Sequence, residues 1–195
     1  MHGAIPDARI GQIMQPLSEE NLLGADASIL VFVRDADQQK CRLIVSGHEI
    51  SGLVSLSDLQ RLPVRAALFG LITYLEIAMT GVIRQEFNGT DGWLNRISEG
   101  RRQKLQVEIA KARSDEPLVD ALLFTQFADK ANIIWKSGCL IVEKSAFESQ
   151  FKKIQALRDH LAHANDYASS PSAAIDTCKT VRLIDEWNNR LSKFA

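Results

Sequence analysis

"SAFESQFKKIQALRDHLAHAND", Ser145 to Asp166, is the stretch on which the fold reading turns. Phe147, Phe151, Ile154, Leu157 and Leu161 recur at helical spacing and predict one buried stripe. Ser145 and Glu148 have the spacing of a capping box, which places the helix start. The end differs in character: Arg158, Asp159, His160 and His163 crowd into six positions. Asp159 and His163 are four apart, so they share a face, and a hydrogen bond between them is expected to fix the imidazole tautomer. Arg158 and His163 are five apart, about 140° round a helix. One straight helix does not aim both at one point. They converge if the helix ends near His163, or if a second chain supplies the other half.

On either side of this stretch the pattern is helix after helix. "PVRAALFGLITYLEIAMTGVIRQEF" stays apolar for many residues and stops at "NGTDG", a turn signal. "WLNRISEGRRQKLQVEIAKAR" sets Leu94, Ile97, Arg101, Leu105 and Ile109 at helical spacing. "DEPLVDALLFTQFADKANIIWK" opens with acids and Pro117, as a helix N-terminus should. "KSGCLIVEK" reads as a connector. After "SSPS" comes a last helix carrying Ile175, Cys178, Val181, Trp187 and Leu191. The expectation is an up-and-down bundle of about five helices.

The front of the chain reads differently. "DASILVFVRDAD" predicts a short helix with Asp26 or Ser28 as cap. "CRLIVSG" and "ISGLVSL" predict two short strands joined by Gly47-His48-Glu49. "SDLQRL" then starts a helix at Ser57 or Asp58. The fold class expected is therefore α+β, a small α/β module over residues 1–62 followed by an all-α bundle over 63–195.

Composition sets limits on function. The chain has 195 residues, 46% hydrophobic and 24% charged, with net charge −1. An RNA partner must then be met by a local patch rather than by overall charge. The first 62 residues hold 5 basic and 8 acidic side chains, leaving 18 basic and 16 acidic for the rest. Cys41, Cys139 and Cys178 are far apart and odd in number, which suits reduced thiols and a cytoplasmic location. No apolar run is read as reaching the roughly 18 residues of a membrane span and no secretory signal is visible, so no membrane partner is expected.

Arginine with histidine suits phosphodiester cleavage. The guanidinium holds phosphate oxygens and stabilises charge building on phosphorus. The imidazole moves a proton on or off the attacking or leaving oxygen. RNA supplies its own nucleophile, the 2′-hydroxyl, so neither metal nor cofactor is required. No HExxH, CxxC or carboxylate cluster with metal spacing is present. The other reading of Arg158, His160 and His163 is a set of cations favoured by the helix C-terminus. His160 is expected to be a solvated neighbour. Glu76, set in an apolar run, either reaches Arg158 or lies exposed. Arg101, Arg102, Lys104, Lys152 and Lys153 either track an RNA backbone or form solvated faces.

"SAFESQFKKIQALRDHLAHAND", with Arg158, Asp159 and His163 in place, resembles the signature helix of HEPN domains. The "LFGLITYLEIAM" run with Glu76 resembles their first long helix. The resemblance covers about Leu62 to Ala195, and Asp159 stands where the family more often has Asn. It implies a metal-independent ribonuclease whose site forms at a two-fold homodimer interface, or a relative that has lost activity and only assembles. "GLVSLSDLQRL", Gly52 to Leu62, resembles the end of a CBS module, with Gly52, Ser55 and Asp58 matching. "IGQIMQP" and "RLIVSG" fit the same module, from about Arg9 to Pro63. This resemblance implies an adenosine nucleotide bound through Ser55 and Asp58. The alternative is that Asp58 only caps its helix. CBS modules work in pairs, so a second would come from another subunit. Three functions compete: a homodimeric ribonuclease, a non-catalytic regulatory or assembly protein, and a toxin restrained by a partner.

Overall fold

In the computed structural model a three-stranded sheet leads into a set of helices. The structure describes residues 9, 11, 14, 16–39, 41–140 and 142–194. Strand β1 is Leu22–Gly24, β2 is Cys41–Ser46 and β3 is Glu49–Ser55, in the order β1-β2-β3. β1 pairs parallel with β2, and β2 pairs antiparallel with β3. A parallel pair needs a crossover, and helix α1, Ile29–Asp35, supplies it. Ser28 caps that helix, accepting from the Leu30 N–H. The hairpin turns through Gly47 at φ 60, which matches the demand of a two-residue turn for glycine at its first position. The IGQIMQP stretch lies mostly outside the described residues.

The sheet ends in a short 3-10 turn, Leu56–Gln60. Its cap is Ser55, one turn earlier than Ser57 or Asp58 as expected, because Asp58 reaches back to the Ser55 N–H at 2.8 Å.

Five α-helices follow among the described residues: α2 Leu62–Glu86, α3 Glu99–Asp115, α4 Phe127–Ser137, α5 Lys144–Ala162 and α6 Pro171–Leu191. α2 is central and packs on α1, α4, α5 and α6. It ends where Asn88 and Gly89 both take positive φ. Two starts differ from expectation. α4 begins at Phe127, ten residues beyond Pro117. Asp120 accepts from the Leu122 N–H and turns the chain first, and a Gln126–Asp129 capping box starts the helix afresh. Leu118 is left 94% exposed. α5 is capped by Glu143, which accepts from the N–H groups of Ser145 and Ala146. Ser145 is thus not the cap, and Glu148 pairs with Lys144.

The predicted stripe of α5 is buried in full. Phe147 stacks on Phe151 at 4.2 Å, and both meet Trp187 of α6 edge-on. The core is continuous from Phe32, Val33 and Leu59 into the helices, so it crosses the boundary expected at residue 62. Two ion pairs reinforce that junction. Arg34 holds Asp185 at 2.6 and 3.0 Å, and Arg182 holds Asp37 at 2.8 Å through both nitrogens. The three cysteines are free. Burial, with Asp37 nearby, pushes the Cys178 thiol up to about 11, so it stays protonated and inert.

By length and composition α2 is long and apolar enough to cross a membrane, with mean hydropathy 1.8. Its charges at Arg65 and Glu76 interrupt the apolar run that the sequence shows. Leu68, Ile72, Leu75, Met79 and Ile83 on one side are core residues. Leu62, Phe69, Tyr74 and Ile77 on the other side are exposed.

Candidate functional site

Helix α5 delivers the polar cluster to a junction with α2. The last helical residue is Ala162, and His163 is the C-cap. The chain then turns through Ala164 at φ 55. The Asn165 N–H donates to His160 O at 2.9 Å and the Ala164 N–H to Leu161 O at 3.4 Å. This is the Schellman closure, in which the left-handed residue is usually glycine. Alanine there carries a β-carbon at a cost of about 1 kcal/mol.

The cluster does not gather at one point. Arg158 turns toward α2, its Nε 3.3 Å from Glu76 and its Nη1 3.6 Å from Asp159. Glu76, 22% exposed, thus takes the first of its two expected places, facing Arg158. Asp159 accepts from Gln155 Nε2 at 2.7 Å. The side-chain hydrogen bond expected between Asp159 and His163 is absent. The two residues share a backbone bond only, His163 N–H to Asp159 O at 3.0 Å. The reason is local. The helix ends at His163, whose φ of −95° and ψ of 11° depart from the helical geometry that would have aimed its ring along the Asp159 face. His163 is exposed, and its imidazole has no hydrogen bond or ion pair among the described residues. His160 is exposed too, but faces elsewhere. With Lys153 it lines a groove of about 680 Å³ between α5 and α6.

Arg158 and Arg42 differ from the arginines that tie other elements together. Arg34, Arg65, Arg101 and Arg182, which tie other elements together, each donate at least two hydrogen bonds. Arg158 is 33% exposed at its side chain and donates none among the described residues. Arg42 on β2 is also loosely paired, 3.5 Å from Asp35.

Two residues at this junction carry no obvious sequence signal. Lys130 of α4 is 9% exposed. Burial lowers its ammonium pKa, while Glu76 and Asp129 act to raise it and Arg158 again to lower it. Its Nζ donates to Thr125 O at 3.0 Å. Only its place among the apolar residues Phe127, Ala131 and Ile134 could have marked it as buried. Arg65, near the start of α2, donates to His160 O at 3.2 Å, Leu161 O at 3.3 Å and Asn165 O at 2.8 Å. It joins positions about a hundred residues apart, and no local pattern announces that.

The other expected residues are placed as follows. Arg101 holds Asp129 at 2.8 and 3.0 Å and also donates to Phe124 O. Arg102 bonds Asn95 and Glu99. Both are engaged in fixing α3, which takes them from the set of free cations expected to track RNA. Lys104, Lys152 and Lys153 are exposed. Ser55 and Asp58 are bonded to each other, and Asp58 also accepts from Arg61 at 2.9 Å. Partial burial opposes ionisation of Asp58, but the Ser55 N–H and Arg61 hold its carboxyl below the usual range. Asp58 therefore acts as a cap. No three His, Cys, Asp or Glu side chains among the described residues are grouped to hold a metal ion. No protein-family model, no curated protein and no solved structure matches this chain.

Proposed function

We propose that the chain is a homodimeric, metal-independent endoribonuclease of the HEPN type. The observation that carries this reading is Arg158, a half-buried guanidinium at a helix junction, ion-paired with Glu76 and Asp159 but donating no hydrogen bond among the described residues. An arginine in that state is prepared for an anion that offers two oxygens to its fork, and the non-bridging oxygens of a phosphodiester fit it. Arg158 holds two oxygens of the scissile phosphate. His163 takes the proton of the 2′-hydroxyl as that oxygen attacks phosphorus. The bond to the 5′-oxygen breaks and that oxygen receives a proton. The products are a 2′,3′-cyclic phosphate and a 5′-hydroxyl end.

Five positions apart, Arg158 and His163 lie about 140° round the helix, and a second copy is proposed to complete the site. The exposed apolar side of α2, with Leu62, Phe69, Tyr74 and Ile77, is the surface proposed to meet it. Ala66, Gly70 and Thr73 lie on the same exposed side, and their small size lets two backbones approach closely. Two copies also bring two imidazoles, one for each proton transfer. The order strand, helix, strand, strand, helical turn over residues 22–60 supports a CBS-like reading of the front. An adenosine nucleotide is its proposed ligand, and binding exchanges the Ser55–Asp58 cap for ribose contacts.

The acidic pair Glu76 and Asp159 beside Arg158 supports a second reading, an assembly protein with an idle motif, since two carboxylates oppose a bound phosphate. Incubating a mixed RNA pool with the protein in EDTA separates the two. Cleavage by wild type that is lost in Arg158→Ala/His163→Ala is the expected result. An intact pool with a stable dimer selects the assembly role.

A further inference from the structure

We infer that Arg65 is the positioning residue for His163, gripping the end of α5 and tying it to the end of the front sheet. The functional half of this inference rests on the ribonuclease reading above. His163 sits at the last turn of its helix, next to a residue in the left-handed region, so its place is only as fixed as that turn. Arg65 bonds carbonyls on both sides of it, those of His160, Leu161 and Asn165. These lie at the negative end of the α5 dipole, where a cation is favoured. One fork spans three acceptors, which a lysine ammonium on a flexible stem does not.

Arg65 is itself seated. Its guanidinium lies 4.9 Å from the centre of the Tyr167 ring. The Tyr167 hydroxyl donates to Leu59 O. Gln60, with its side-chain oxygen toward the loop, accepts from the Tyr167, Ala168 and Ser169 N–H groups at 3.1, 2.8 and 3.2 Å. The turn that closes the front sheet is thereby bonded to the turn that carries His163. Leu59 and Gln60 directly follow the Ser55–Asp58 cap, so a change at that cap moves toward the histidine through a short run of hydrogen bonds.

The test uses full-length Arg65→Met, Arg65→Lys and Tyr167→Phe proteins. Amide exchange at Ala164 and Asn165 and the imidazole NMR signals of His163 are read beside RNA cleavage in EDTA. In Arg65→Met the Asn165 amide is expected to exchange about tenfold faster or more, with the Leu75 amide in the core unchanged. The His163 signals are expected to shift, and kcat to fall about thirtyfold with KM held within about threefold. Arg65→Lys is expected to restore part of the amide protection but little of kcat. Tyr167→Phe, which removes one hydroxyl, is expected to move the same signals less. His163 signals and Asn165 exchange identical to wild type in Arg65→Met overturn the proposal, and identity in Tyr167→Phe overturns the link to the sheet. Should Arg65→Met not fold, the Lys and Phe variants decide it. If wild type cuts no RNA, the ribonuclease reading falls alone, and exchange with the imidazole signals still decides the positioning.

Discussion

Two arginine junctions in this molecule behave in opposite ways. Between α1 and α6, Arg34 and Arg182 meet Asp185 and Asp37 through paired hydrogen bonds, and Asp37 is 4% exposed at its side chain. Each guanidinium there donates at least two hydrogen bonds to its carboxylate, so the joint is closed. Between α5 and α2, Arg158 is ion-paired with Glu76 at 3.3 Å and Asp159 at 3.6 Å but donates no hydrogen bond among the described residues. The first arrangement stabilises the chain as it stands. The second pairs charge without aligned hydrogen bonds, which leaves the guanidinium able to take a better-placed acceptor.

The largest effect should come from the open junction. Arg158→Ala and His163→Ala are each expected to lower RNA cleavage by about a hundredfold or more. Melting temperatures should stay near wild type, because Arg158 makes only partly exposed ion pairs and the His163 imidazole has no hydrogen bond among the described residues. A large loss of stability in Arg158→Ala would mean that this junction is as structural as the other one. Next in size is the surface that must cover it. Ile77→Glu places a charge on the exposed side of α2 and is expected to weaken self-association by about a hundredfold. Analytical ultracentrifugation checks this, and cleavage should fall with the dimer. A variant that remains dimeric would place the second copy elsewhere.

The closed junction is tested by Asp37→Asn, expected to destabilise by about 2 kcal/mol, discounted from a fully buried pair because Arg182 is partly exposed. The Arg182 hydrogen bonds, working against burial, hold the Asp37 carboxyl below the usual carboxylate range. Its stabilisation is therefore complete above about pH 4 and lost as pH falls through the depressed value. Urea midpoints across acid pH should fall for wild type, and the gap to Asp37→Asn should close. A constant gap would show that Asp37 acts through shape rather than charge.

How much of this was legible follows from range. The stripe Phe147 to Leu161 is local and periodic, and it is buried as read. So are Cys178, Val181, Trp187 and Leu191 of α6. β1 has only three residues, too few to carry an alternation, and it was missed. α4 was placed too early because acids and Pro117 imitate a helix start, while the decisive partners, Asp120 with Arg84 and Gln126 with Asp129, depend on tertiary contact or on reciprocity. The motif residues Arg158 and His163 stand out by type. Their directions depend on where the helix stops, a turn closed by its own backbone bonds and gripped by Arg65 from about a hundred positions away.

The smallest effect concerns that stop. Ala164→Gly removes a β-carbon from a left-handed residue, a gain of about 1 kcal/mol. Glycine also makes the unfolded chain more flexible, a loss of about 0.4–1 kcal/mol. The net stabilisation should be about 0.5 kcal/mol or less, visible as a small rise in the denaturation midpoint. Activity should move the other way. The alanine restricts the turn that holds His163, and a glycine there widens the range of positions the imidazole samples. A variant that is slightly more stable and slightly less active would show that this strain serves the open junction. A gain in both would show that Arg65 alone fixes the turn and that Ala164 is only tolerated.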